Sequence, residues 1–147
     1  GYLPQHVGHR SRQSWQEIGA EMSDLLKSLS FAASGMEAQA MRLRHVSENI
    51  AHADTPGYHR KTVSFQEEMQ TGQVKTGPVK LDRSELLRGY DPGHPLADET
   101  GHYDGSNVDL VIEIADAREA QRSYEANLKM FDQARQMTQS LFEILRR

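Results

Sequence analysis

Seven histidines in a chain of 147 residues are the first place to look for chemistry. His52, Asp54 and His59 fall around one turn, and His94 and His102 fall in a region rich in Gly and Pro. A helix-borne metal centre needs ligands one turn apart, as in H-E-x-x-H, and that spacing does not occur here. His45 and His52 share a helix face on either side of Ile50, with no third ligand in register. Without cysteine, thiol catalysis, disulfides and Cys-based zinc sites are excluded. Asp109, Glu113, Asp116 and Glu119 are spaced as a solvated face with compensating bases rather than as an acid–base pair. Arg118 and Arg122, beside Glu119 and Glu125, read as surface ion pairs. There is no nucleophile elbow, and no Gly-rich turn opens a helix with a following Lys, so no phosphate cradle is expected. The expectation is a non-enzymatic protein with no cofactor, no metal and no small-molecule substrate. A formal charge of −4 argues against general affinity for nucleic acid.

What the pattern does specify is helix. From Asn107 to Arg147, Leu110, Ile114, Ala117, Gln121, Tyr124, Leu128, Phe131, Ala134, Leu141 and Leu145 recur mostly at steps of four and three. That spacing lays them along one stripe. No Gly or Pro interrupts it, and Ser106 with Asp109 can form a capping box at its start. Acidic residues crowd the first turns and Arg135, Arg146 and Arg147 come late, as the macrodipole favours. About forty helical residues would span roughly 60 Å, so the stripe needs a long partner. Leu25, Leu29, Ala32, Met36, Ala40, Leu43, Val46 and Ile50 supply one, again stepping by fours and threes. Gly35, inside that seam, is either a weak spot or a place where another helix comes very close. The fold class expected is mainly α: long N- and C-terminal helices paired as a coiled coil, with a small β-rich insertion between them.

The division expected along the chain follows. Residues 1–21 read as a leader outside the fold and disordered, with a plausible start at Met22. Residues 22–57 form the first helix and its exit turn, since Pro56 and Gly57 break the period. Residues 58–106 form a short-stranded, loop-rich segment carried on the end of the helical pair. Lys61–Phe65 alternate as a strand, with further short strands around Val74, Val79 to Leu81, and Leu86 to Tyr90. Residues 107–147 form the last helix. No run is long and apolar enough to span a membrane.

The stretch Asn49-Ile50-Ala51-His52-Ala53-Asp54-Thr55-Pro56-Gly57-Tyr58, following an amphipathic helix, resembles the N-terminal signature of the bacterial flagellar rod and hook proteins. Tyr90 to Asp98, Asn107-Val108-Asp109-Leu110 and Arg122 to Asn127 are similar to one proximal-rod branch of that family. The resemblance covers residues 22–147. His52 stands where the family commonly has Asn, and the direct Thr55-Pro56-Gly57-Tyr58 turn is shared with a sister rod protein. The resemblance implies a structural subunit of the proximal rod, the drive shaft that transmits torque and encloses the export channel. It implies copies of itself, other rod proteins, membrane-ring junction proteins and the flagellar export apparatus as partners. It also implies export to the periplasmic basal body without a cleaved signal peptide. The residues expected at the assembly interface are Leu29, Met36, Leu43, Val46 and Ile50 on the first helix. On the last they are Leu110, Ile114, Tyr124, Leu128, Phe131, Leu141 and Leu145. Asn49, Pro56, Gly57, Tyr58, Asn107 and Asp109 carry the family motif. Two other assignments stay open: the sister rod protein, and a stand-alone coiled-coil adaptor that binds a partner helix without polymerising.

Overall fold

The computed structural model describes residues 6–67 and 72–146, with side chains described over 12–66 and 72–146. Two long helices, α1 (His6–Ala51) and α2 (Leu110–Arg146), pack against each other. Between them run β1 (Lys61–Glu67), β2 (Val74–Leu81), β3 (Arg88–Tyr90) and β4 (His102–Asp104), as two separate antiparallel pairs, β1 with β2 and β3 with β4. The helices are antiparallel: Asn127 lies against Gly35, and Glu113 against Asn49.

The first helix begins at His6, not near Met22. From residue 6 onward, therefore, the segment expected to be disordered is part of α1; residues 1–5 lie outside the described residues. The reason is cooperativity: once the packed part of α1 is formed, each added residue gains a hydrogen bond without a new nucleus. No proline stands between His6 and Met22 to stop it.

The seam between the helices is built from small residues. Ala32, Ala38, Ala120 and Ala134 are buried, with Val46, Leu25 and Leu141 beside them. Gly35 is buried as well, and a Cβ there would meet the Asn127 side chain at 2.7 Å. So Gly35 marks a close approach of two helices, which the sequence had left undecided. On α2 the residues that face α1 include Glu113, Ala120 and Ala134, the first two one position away from the expected Ile114 and Gln121. Leu110, Ile114 and Leu128 are left 48%, 48% and 40% exposed.

The first hairpin does not sit on the end of the helical pair, as expected, but lies back along α1. Asn49 holds Lys61 at its start, and Val74 N–H donates to Ser34 Oγ (3.2 Å) near its tip. Gln73 Nε2 donates to Ser30 Oγ, and the Phe31 ring lies over Gly72. Two strands alone hold too little apolar surface to persist, and α1 supplies the missing face. A bulge between Val63 and Phe65 places Ser64 against Gly77. The expected strand at Leu86 to Tyr90 is shorter, starting at Arg88, and its partner β4 was not anticipated.

The chain leaves α1 and enters α2 at the same end. Gly57 adopts a left-handed backbone (φ 77°) that only glycine accepts cheaply, and its N–H donates to Gly105 O (3.0 Å). The α2 cap is Asp109 rather than Ser106. Asp109 Oδ1 accepts from Val111 N–H (3.0 Å), so the helix starts at Leu110, not Asn107. Ser106 instead ties the two ends together, donating through Oγ to Ala53 O.

Candidate assembly surface

The arrangement is set by a polar knot where α1, β1 and α2 meet. Asn49 is almost wholly buried. Its side-chain amide pairs with the backbone of Lys61 as a neighbouring strand would: Lys61 N–H donates to Oδ1 (2.8 Å) and Nδ2 donates to Lys61 O (3.0 Å). Tyr58 Oη also donates to Asn49 Oδ1 (2.9 Å), while the Tyr58 ring stacks on His52 with centroids 4.9 Å apart. Asn107 does the corresponding work on the other side. It accepts from Arg60 N–H (2.6 Å) and donates to Asp82 O (2.8 Å). These two asparagines fix both crossings between helix and strand.

At the centre lies Glu113, fully buried. It accepts from Arg60 Nε (2.7 Å) and from Asn49 Nδ2 (3.3 Å). Arg60 extends to Asp116 (3.2 Å) and Asp82 (3.4 Å), and Arg42 bridges Asp116 and Glu119, at 3.3 Å each. Burial works against the Arg60 cation. The hydrogen bond it donates to Glu113 and the charges of Glu113, Asp82 and Asp116 together outweigh this, so its pKa lies above the usual guanidinium value. Asp82 is held below the usual carboxylate range, first by hydrogen bonds from Ser84 and then by Arg60. At the rim, Lys61 Nζ meets Glu48 Oε2 at 2.7 Å; that bond lowers Glu48 and raises Lys61.

This knot holds the chain crossings in place: two arginines bridge its four carboxylates, and backbone and side-chain amides complete their hydrogen bonds. The histidines are dispersed: His45 is buried 3.8 Å from Glu48, His94 stacks on Tyr103 and His102 contacts Thr100. Among the described residues no group of three or more His, Asp or Glu could hold a metal ion. Arg60, Glu113, Asp116, Asp82 and Arg42 were not picked out by spacing. Glu113 in particular had the appearance of a solvated macrodipole charge, and only its position one turn into α2 opposite a buried Asn49 shows otherwise.

The residues expected at an assembly interface divide into two sets. Val46 and Leu141 are buried within the chain itself, in the seam between its two helices. Leu29, Met36, Leu43, Tyr124, Phe131 and Leu145 are half-buried along the seam. Ile50, Leu110, Ile114 and Leu128 face outward, with Val111, Met130, Met137, Phe142 and Ile144, which the stripe had not included. Exposed apolar side chains therefore flank the buried seam of α2, Leu110, Ile114, Leu128 and Phe142 on one side and Met130, Met137 and Ile144 on the other. They were hidden in the sequence because they adjoin the inner stripe at the same period.

Comparison with known proteins supplies the family. The model described as "Flagella basal body rod protein" matches residues 29–59, and the one described as "Flagellar basal body rod FlgEFG protein C-terminal" matches residues 99–144. These cover the knot end of α1 with its exit turn, and nearly all of α2. The flagellar basal-body rod protein FlgC of Agrobacterium fabrum is 43% identical over 136 residues, spanning 85% of this chain and 98% of that protein. The FlgC of Salmonella typhimurium is 35% identical over 124 residues, 77% of this chain and 92% of its own length. That of Borreliella burgdorferi is 30% identical over 148 residues, 82% and 97% respectively. Near-complete coverage at these identities, together with the paired terminal helices and the Asn49 and Asn107 crossings, places the chain in the FlgC family of flagellar basal-body rod proteins, rather than with the sister protein FlgB.

Proposed function

We propose that this chain is a subunit of the proximal rod, and that it packs through the outer face of α2 onto copies of itself and onto other rod proteins. The observation that carries this is the set of large apolar residues left exposed beside a seam whose most fully buried members are mainly alanine. Burying each such side chain contributes about 1.5–3 kcal/mol, and the inner seam leaves most of that unused. In a drive shaft, torque passes through many side-by-side helix contacts, so no single contact has to be strong. The helical pair lines the export channel, and the hairpin and the β3–β4 lobe lie to the outside. The subunit travels unfolded through the flagellar export apparatus without signal cleavage and seats against the membrane-ring junction in the periplasm. The chemistry is mechanical, not enzymatic.

The test is Leu128→Asp. Leu128 is outside the seam, so the variant should keep its helicity and still be exported, yet fail to enter the rod and leave cells non-motile. Normal swimming with the aspartate in place would rule out the outer face as the interface. A stable helical dimer that never grows further would favour the adaptor reading instead.

A further inference from the structure

Two exposed surfaces of this chain complement each other and have no partner within it. The first is the β3–β4 lobe. Neither β3 nor β4 touches a helix. Leu87, Tyr90 and Leu96 stand out from it, each more than 60% exposed. The lobe is nevertheless pre-organised. Asp98 Oδ1 accepts from Thr100 N–H (2.8 Å) and His102 N–H (3.1 Å), Arg88 donates to Asp98 Oδ2 (2.6 Å), and His94 stacks on Tyr103 at 4.0 Å. Its charge is acidic: Asp91, Asp98, Glu99 and Asp104 stand against Arg88 alone, and Arg88 is taken up by Asp98 and Asp104. The second surface is an open groove of about 600 Å³ on α2, floored by Val111, Ile114 and Ala115 and rimmed by Arg118, Arg122 and Glu119, the last with its charge met by Arg42. The ion pairs expected between these arginines and Glu119 or Glu125 are not formed; Glu119 turns to Arg42 instead. Among the described residues Arg118, Arg122, Asp91 and Glu99 have no counter-charge.

We infer that the acidic, apolar β3–β4 lobe of one copy seats in the basic, apolar α2 groove of a second copy. Each side presents exposed aliphatic surface next to charge of opposite sign, so docking buries the first and compensates the second. Because the two surfaces differ, the contact is heterologous. It leaves a free lobe and a free groove at the two ends of any dimer, and so it propagates into a ring or a helical array. The inference rests on the assembly reading above and adds a specific contact to it: Val111 and Ile114, at the start of the outer face, take the lobe, and the helix-to-helix contact is left to Leu128 and the residues beyond it.

The experiment uses full-length chain and two double variants, Arg118→Glu/Arg122→Glu and Glu99→Arg/Asp104→Arg. Circular dichroism checks that each folds, and sedimentation velocity measures association at low and at raised salt. Native chain should associate, with salt weakening it. Each variant alone should associate about tenfold more weakly or worse, since its lobe and groove now carry the same sign. Mixed in equal amounts, the two should recover association, because every lobe again finds a groove of opposite sign. If both variants associate as the native chain does, or the mixture fails to recover, the lobe–groove contact is overturned while the Leu128 interface stands. If native chain does not self-associate under any condition tested, the second copy is the wrong occupant and the assembly reading falls with it.

Discussion

At the scale of the residue, Arg60 and Glu113 decide whether the chain crossings hold. A wholly buried carboxylate survives only because a guanidinium and an amide satisfy it, and removing one partner of such a pair typically costs about 3–5 kcal/mol. Arg60→Met should therefore destabilise the fold by that order, read from the urea midpoint at constant slope, whereas Arg44→Met, in an exposed pair with Glu48, should cost under about 1 kcal/mol. The acid limb follows from the same bonds. Asp82 and Glu48 have folded pKa values below their ordinary 3.8 and 4.5, and Asp98 is held lower still, first by the Thr100 hydroxyl. A depressed carboxylate adds stability above its unfolded pKa and loses it as pH falls toward the folded one. Urea midpoints should thus be level from neutral pH down to about 5 and drop below about 4.5; a level midpoint through that lower range would contradict the assigned bonds. Asn49, Tyr58 and Asn107 were legible beforehand through the family motif they share. Arg60 and Glu113 were not, because a single Arg in a turn and a single Glu in a first helical turn look the same whether solvated or buried.

At the scale of the element, period was readable and phase was not. Apolar residues flank the buried seam of α2 on both sides, and steps of three and four run through a flank as readily as through the seam. The deciding signal is size: the chain buries Ala32, Gly35, Ala120 and Ala134 in the seam and leaves Ile114 and Leu128 outside. Small residues let the helix backbones approach closely, so a seam read by hydrophobicity alone is drawn toward the larger residues one position away. Gly35→Ala tests the close approach. Alanine gains about 1 kcal/mol of helix propensity, yet here its Cβ must displace Asn127. The single variant should be less stable than native, and adding Asn127→Ala should restore at least the native value. Additive effects of the two changes in thermal melts would mean that the residues do not touch. The hairpin's placement along α1 was beyond the sequence because it depends on Ser30 and Ser34, polar residues that looked like an exposed face.

At the scale of the whole molecule, the accessible surface is 11057 Å², whereas a compact monomer of 16.6 kDa would expose about 7,600 Å². The excess reflects an elongated molecule built on two long helices, not a globule. It is also uneven. The knot end has two helices, a hairpin and a network of ion pairs, while the far end has α1 and α2 alone. Amide exchange on dilute chain should be slowest around Val46 and Ala120 and fastest toward both ends of the distal half, with distal protection rising on assembly. Uniform protection in the monomer would show that the pair needs no partners. The β3–β4 lobe hangs from a narrow doorway: Leu87 N–H donates to Ser106 O (3.0 Å) and Gly105 N–H to Leu87 O (2.7 Å). Since its strands touch neither helix, that doorway works as a socket. A larger or different cartridge could be plugged in there without disturbing how the two helices of the same chain pack, so the subunit's side contacts and its own winding can be altered one at a time.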